Sequence, residues 1–284
     1  MKDAFSFGGL PEEYSSPDKS SIVIIPVAYD GTSTWCKGAD KGPMAIMEAS
    51  ANMELYDIET ESEVYKRGIF TEDETGGEIS TAEMIQIVGE TVRYHIERGK
   101  FAVVVGGEHS VSIGSIKAHA ERYKGLCILQ LDAHSDLREE YNGSKYNHAC
   151  VMARAKETCP IVQVGIRSMD ASENNSMDRS NVFFAKDIHD NTNWMKKAVS
   201  KLGDDIYITI DLDVFDPSVM SSTGTPEPGG LGWYEVLALL KSVCEKKNVV
   251  GFDVVELCPD SRNKAPDFLA AKLIYKLLSY KFEG

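Results

Sequence analysis

Leu126-Cys-Ile-Leu-Gln-Leu-Asp-Ala-His-Ser-Asp136 decides the fold class of this chain. The run 126–131 is apolar except for one glutamine, and it leads directly into two aspartates and a histidine at alternating positions. A short, near-continuous apolar run is what a strand requires when both faces of its sheet are covered, since neither face then meets water. The same kind of run recurs at Ile22 to Ala28, Phe101 to Val105, Ile161 to Ile166, Val182 to Phe184, Ile206 to Ile210 and Val249 to Val255. Helical patterns lie between them. Ser80 opens an S-x-x-E capping box with Glu83, and Gly232 to Lys247 and Pro266 to Tyr280 carry apolar residues near a 3.6-residue period. Strands alternating with helices imply a mainly parallel central sheet between two helix layers, a three-layer αβα domain. No Pro/Gly/Ser-rich linker and no internal repeat divides the chain, so one domain over residues 1–284 is expected. Pro217 to Gly232 and the polar stretch Met169 to Asn181 read as loops.

Composition narrows the function classes. The 284 residues hold 30 Lys+Arg against 44 Asp+Glu, a net charge of −14, with 43% hydrophobic residues. That is the balance of a water-soluble globular chain. The apolar run Ile22 to Ala28 is far shorter than the roughly 18 residues of a membrane span, and Met1-Lys2-Asp3-Ala4 leads into no signal-like segment. No membrane association is expected. Six cysteines without a C-x-x-C pair suggest free thiols in a reducing cytoplasm. An acidic pI near 4.9 argues against nucleic-acid binding and suits a small cationic substrate.

Three strands end in residue types that bind metals. If extended geometry continues past Leu131, then Asp132, His134 and Asp136 emerge on one face, and the same arithmetic places Asp211 beside Asp213 after Ile210. Phe101 to Val105 leads into Gly106-Gly107-Glu108-His109, where the glycines permit a sharp turn. One such aspartate is an ordinary cap or turn residue. A cluster of them on apolar strands is different, because buried carboxylates repel and lose hydration unless a cation compensates them. Asp132, Asp136, Asp211 and Asp213 carry four negative charges, which two divalent cations neutralise, and His109 and His134 add neutral donors. Four carboxylates, two imidazoles and no thiolate favour Mn²⁺, with other first-row ions admissible. Two ions roughly 3.5 Å apart can deprotonate a bridging water near neutral pH, which points to hydrolysis.

Gly-Gly-Glu-His at 106–109, Asp-Ala-His-Ser-Asp at 132–136 and Ile-Asp-Leu-Asp-Val-Phe-Asp-Pro at 210–217 resemble, in this order, the three signatures of the ureohydrolase family, which includes arginase and agmatinase. The similarity extends from Pro26-Val-Ala-Tyr-Asp30 and Gly42-Pro43 to Val255-Glu256. The resemblance implies that Asp132 and Asp211 bridge two ions, that His109 and Asp136 complete one site, and that His134 and Asp213 complete the other. It further implies that Asp136 orients the attacking hydroxide, that Glu256 pairs with the guanidinium, that His148 transfers a proton and that Thr225 lies on the substrate side. His95, His119 and His189 are read as structural or exposed. A homo-oligomer, trimer or hexamer, is implied as well. Where many relatives carry Arg-Pro-Gly-x-Arg, this chain has Cys36-Lys-Gly-Ala-Asp-Lys41, a departure in local loop or subunit contacts.

The expected reaction is hydrolysis of agmatine to putrescine and urea. Asp136-Leu-Arg-Glu-Glu-Tyr141, Tyr146-Asn-His-Ala149 and Thr225-Pro-Glu227 look like agmatinases rather than arginases. Glu139, Glu140 and Glu227 are the acids available to the distal ammonium, and Arg138 is expected to point away or to pair with a neighbouring acid. The alternatives are arginase, an amidinohydrolase acting on guanidinobutyrate or formiminoglutamate, and a non-catalytic metal-stabilised binding protein.

Overall fold

All seven expected strands form in the computed structural model, which describes residues 6–284. In chain order the strands are β1 (Ile22–Ala28), β2 (Ile69–Thr71), β3 (Thr75–Gly76), β4 (Phe101–Gly106), β5 (Cys127–Leu131), β6 (Ile161–Ile166), β7 (Val182–Phe184), β8 (Asp205–Asp211) and β9 (Asn248–Val255). The helices are α1 (Glu12–Ser15), α2 (Gly42–Ser50), α3 (Thr81–Glu97), α4 (Ser112–Arg122), α5 (Val151–Ala155), α6 (Ala185–His189), α7 (Trp194–Lys201), α8 (Trp233–Lys246) and α9 (Ala265–Glu283). Every pairing is parallel, in the order β2-β1-β4-β9-β8-β5-β6-β7, with β3 also against β1.

Alternate residues of each strand feed two helix layers. Ile22, Ile24, Val103 and Val105 join α2, α7, α8 and α9 in one apolar cluster. On the opposite face Val23, Ile25, Val27 and Val104 meet α3, and Ile128 and Tyr207 meet α4 and α5. Each such buried aliphatic side chain contributes roughly 1.5–3 kcal/mol, which explains why the strands read as unbroken apolar runs. Ser80 Oγ accepts the Glu83 N–H at 3.2 Å and caps α3, but the exposed Glu83 carboxylate makes no return bond, so only half of the capping box forms. The connection from β4 to β5 steps over two positions that β9 and β8 fill later. That leaves a crevice at the carboxyl ends of four adjacent strands.

Among the described residues no helix is long and apolar enough to cross a membrane. All six cysteines are free.

An ion cluster built on the buried pair Lys276 and Asp57, with Glu59 at its exposed edge, ties α9 to the segment before β2. Lys276 Nζ lies 2.9 Å from Asp57 Oδ2 and 3.1 Å from Glu59 Oε2, and the Tyr280 hydroxyl donates to Glu59 at 2.6 Å. Burial works to raise the Asp57 pKa, but the Thr60 N–H and the Lys276 ammonium outweigh it and hold the carboxyl below its usual range. Glu59 is held low first by Tyr280 and then by Lys276. Both contributions to stability are present above about pH 4, where the unfolded carboxyls ionise, and are lost as pH falls through the depressed folded values. Lys276→Met should therefore cost on the order of 3 kcal/mol in urea unfolding at pH 7. The loss should shrink at pH 3; an equal loss at both pH values would assign the effect to packing.

Candidate metal centre and substrate cavity

Four neighbouring strands deliver the candidate site. His109 follows β4, Glu256 follows β9, Asp211 ends β8, and Asp132 follows β5. Gly107 is obligatory at the β4 exit, since a Cβ there would collide with the Tyr29 carbonyl. Neither aspartate group projects by continued extension, contrary to the sequence reading. β5 stops at Leu131 and Asp136 adopts φ 51°, while Asp211 caps a single helical turn, Leu212–Val214, and accepts the Asp213 N–H at 2.9 Å. Glu256 also sits at positive φ, 68°, with its N–H donated to the Gly107 carbonyl at 2.8 Å. Two non-glycine residues held in left-handed conformations at one site are the kind of local strain that functional geometry retains.

The side chains form two groups that share Asp132: His109, Asp132 and Asp211, and Asp132, His134 and Asp213. His109 Nδ1 lies 2.9 Å from Asp136 Oδ2, 3.2 Å from Asp132 Oδ2 and 3.5 Å from Asp211 Oδ2. His134 Nδ1 lies 2.9 Å from Asp213 Oδ2 and 3.7 Å from Asp132 Oδ1. All six residues proposed as ligands from the sequence are thus gathered, but Asp132 and Asp136 lie toward His109 whereas His134 lies toward Asp213.

Surrounding hydrogen bonds dictate what these donors can hold. The Thr209 hydroxyl donates to Asp253 Oδ1 at 2.6 Å, so its oxygen must accept from His109 Nε2, 2.9 Å away. That places the proton of His109 on Nε2 and leaves Nδ1 as a bare lone pair. Nδ1 is buried, makes no hydrogen bond, and faces three carboxylate oxygens. Lone pairs converging at 2.9–3.5 Å are the edges of a coordination shell whose ligands sit about 2.1 Å from one cation, so the donor set fits a divalent ion. Asp132 is oriented in turn by Gln130 Nε2 at 2.7 Å and by the His134 N–H at 2.6 Å, and Gln163 donates to Gln130 at 2.6 Å. Thr209→Val should weaken divalent-ion binding about 10- to 100-fold by isothermal titration, because the partner that fixes the imidazole is removed. Unchanged affinity would deny Thr209 that role.

Electrostatic stress marks the same groups. Burial, reinforced by Asp136 and Asp213, pushes the Asp132 carboxyl up to about 7. Burial and Asp213 drive Asp211 well above the carboxylate range, and burial and Glu108 do the same to Glu256. Burial works to lower the His134 pKa, yet Asp213 and Asp132 outweigh it and carry the imidazole up to about 10.

A cavity of about 260 Å³ opens over these groups. Its wall includes His109, His134, Asp136, Asp211, His148, Thr225 and Glu256, so the expected catalytic and substrate-side residues share one space. Glu256 Oε1 accepts the His109 N–H at 2.8 Å. Asn147 caps the short turn that begins at His148, whose ring meets Tyr141 edge-on with centroids 5.9 Å apart.

The distal wall differs from expectation. None of Glu139, Glu140 and Glu227 lines the cavity; Glu139 pairs instead with Arg154 at 2.9 Å. Asp170 and Glu173 line it, both from the stretch read only as a loop. Glu173 is buried and fixed by the Ser135 hydroxyl at 2.7 Å and the Leu137 N–H at 2.8 Å. Arg138 meets the second of its two expected outcomes: it lies in the wall and pairs with a neighbouring acid, 3.5 Å from Asp170, with its guanidinium 4.7 Å over the Tyr141 ring. The departing loop at Cys36-Lys41 rests on Cys258, whose Sγ lies 3.3 Å from the Lys37 carbonyl, and fronts a separate groove. His95 is buried against Glu72, His119 is buried against the Ser115 carbonyl, and His189 is exposed, as read.

Comparison with known proteins agrees with this geometry. Residues 20–279 match the arginase family. An N(1)-aminopropylagmatine ureohydrolase of Synechocystis is 36% identical over 280 residues, covering 95% of this chain and 92% of the relative. The agmatinase of Pyrococcus horikoshii is 32% identical, with 91% of each chain covered. The solved agmatine ureohydrolase of Thermoplasma volcanium superposes with a TM-score of 0.85 at 30% identity, covering 94% of this chain and 91% of that one. Similarity at this level along nearly the whole chain places it in the arginase family, whose members are binuclear-metal ureohydrolases acting on guanidino substrates.

Proposed function

We propose that the protein hydrolyses agmatine, a guanidine carried on a butyl chain with a terminal amine, to putrescine and urea. His109, Asp132, Asp136 and Asp211 would hold one divalent ion, and Asp132, His134, Asp211 and Asp213 would hold the other. Carboxylate-rich donors without thiolate suit Mn²⁺. When bound, the two ions supply a hydroxide nucleophile at neutral pH and stabilise developing negative charge. Asp136 accepts the hydrogen of the attacking oxygen and keeps its lone pair toward the guanidinium carbon. Glu256, with Oε1 already committed to the His109 N–H, offers Oε2 to the guanidinium. His148 and Thr225 line the same cavity, with His148 placed to pass a proton and Thr225 to bound the substrate. Cleavage of the C–N bond needs one proton on the departing amine, delivered from Asp136 or His148. The active form is a homo-oligomer, trimer or hexamer, of the cytoplasm.

The charge of the wall carries this reading. Two ions would neutralise their four aspartates and favour the ionised form of Glu256, so that Asp170, Glu173 and Glu256 remain against Arg138, a net of two negative charges. A dication matches that balance, and among the described residues the one Lys or Arg of the wall, Arg138, is already paired with Asp170, which leaves an amino-acid carboxylate no free partner there. A second reading is N(1)-aminopropylagmatine. The Asp170 side chain is 42% exposed at the rim, which leaves room for an arm beyond the amine, and a relative at 36% identity bears that name. The test is a urea-release panel. The ratio of kcat/KM for agmatine to that for arginine should exceed about tenfold, equivalent to 1.4 kcal/mol. A ratio at or below one would overturn the substrate assignment, and a further tenfold gain for the aminopropyl compound would select the second reading.

A further inference from the structure

Glu108 lies in the Gly-Gly-Glu-His turn but has no part in the chemistry so far. It is completely buried, and one oxygen, Oε1, accepts the Ser110 hydroxyl at 2.7 Å and the Thr32 hydroxyl at 2.9 Å. The other oxygen accepts the Ser110 N–H at 2.7 Å. Thr32 in turn touches His148 twice: its hydroxyl oxygen accepts the His148 backbone N–H at 3.0 Å and lies 3.1 Å from ring Nδ1.

We infer that Glu108 and Thr32 hold His148 in its neutral Nδ1–H tautomer, so that Nε2 is the bare ring nitrogen offered to the substrate. The inference rests on the proton-transfer role assigned to His148 above. A hydroxyl has one proton and two lone pairs, and the Thr32 proton is spent on Glu108 Oε1. Both lone pairs then receive His148, one from the backbone N–H and one from Nδ1. Nδ1 can approach a hydroxyl lone pair at hydrogen-bonding distance only by carrying a hydrogen. A neutral imidazole carries a single N–H, so Nε2 has none.

The consequence is directional. Nε2 takes a proton released in the cavity, and the imidazolium so formed gives that proton to the departing amine nitrogen as its bond to the guanidine carbon breaks. Throughout the cycle Nδ1–H stays on Thr32. Were the tautomer reversed, Nε2–H would present a donor where an acceptor is needed and the first transfer would fail. Glu108 and Thr32 are positioning residues; neither lines the cavity.

The test reads the ring directly. Histidine labelled with ¹⁵N in the Mg²⁺-loaded protein should show the His148 resonance, identified by its loss in His148→Asn, as protonated Nδ1 and bare Nε2. Thr32→Val should shift it toward Nε2–H and lower kcat about 10- to 100-fold with KM and bound metal unchanged, part of the ~10²- to 10⁴-fold span of acid–base catalysis. Thr32→Ser should keep the tautomer and restore turnover. A wild-type His148 protonated at Nε2 overturns the inference, even if Thr32→Val does not fold; so does a folded Thr32→Val with unaltered tautomer and kcat. The tautomer is read without substrate. Failure to release urea therefore counts against the proposed reaction alone, and urea release with an Nε2–H ring counts against this inference alone.

Discussion

Asp132→Ala should lower urea release by more than about a thousandfold and reduce bound divalent metal from two ions per chain to one or none. Among the described residues Asp132 is common to both compact donor groups, and with Asp211 it is one of the two ligands assigned to both ions, so a single truncation removes a ligand from each. The charge argument runs in the same direction. Asp132 is fully buried among Asp136 and Asp213, and its carboxyl is pushed up to about 7 by burial first and those neighbours second. Without metal the wild-type chain carries that stress, and alanine relieves it. Against this, alanine strands the Gln130 amide and the His134 N–H, which now donate to the carboxylate at 2.7 Å and 2.6 Å. The metal-free variant should therefore melt close to wild type. The two proteins should separate when metal is added, since an ion at about a hundred times its dissociation constant stabilises a chain that binds it by about 2.7 kcal/mol and leaves a non-binder unchanged. Elemental analysis, urea assay and melting with and without Mn²⁺ test the claim together. Full activity in a metal-free sample of either protein would reject the metal mechanism.

Much of this arrangement is visible in the chain itself, and what is not has physical causes. The strands are legible because a sheet covered on both faces forces runs such as Ile206 to Ile210 to be apolar throughout. The candidate ligands are legible because charged residues directly after such runs are costly without a partner. By contrast, α4 shows little periodicity: Ser112, Gly114, Ser115 and His119 are buried along with Ile113 and Ile116, and Gly114 lies directly against the α3 backbone. A helix packed that closely cannot display an apolar stripe of large side chains. The supports of the site left a signal that spacing does not capture. Thr209 and Asp253 are polar residues in otherwise apolar strands, and burial of such groups demands partners, here each other, Tyr207 and His109. Asp170 and Glu173 left no signal of a role in the cavity. Locally they show only as a D-x-x-E capping box, while their position in the wall follows from contacts with Ser135, Leu137 and Arg138, more than thirty residues away.

His148→Asn should retain both metal ions and lower kcat about 10²- to 10⁴-fold. His148 belongs to neither donor group, so its loss leaves the ligands intact. It is nevertheless held against the cavity by Thr32 on its Nδ1 side and by the Tyr141 ring edge-on, which fixes the direction of the imidazole. Asparagine keeps a polar side chain of similar reach but cannot take up and release a proton near neutral pH, so binding survives while transfer does not. KM should therefore change little, which separates His148 from Glu256: Glu256→Gln deletes the charge proposed to pair with the guanidinium and should raise KM. The linkage to Thr32 supplies a stricter check. If Thr32 acts through His148, the double variant Thr32→Val/His148→Asn should be no slower than His148→Asn alone, since the second substitution then has nothing left to misalign. Multiplicative losses would instead give Thr32 an independent role, and an unchanged kcat in His148→Asn would move the proton to Asp136, the other group in the cavity placed to deliver it.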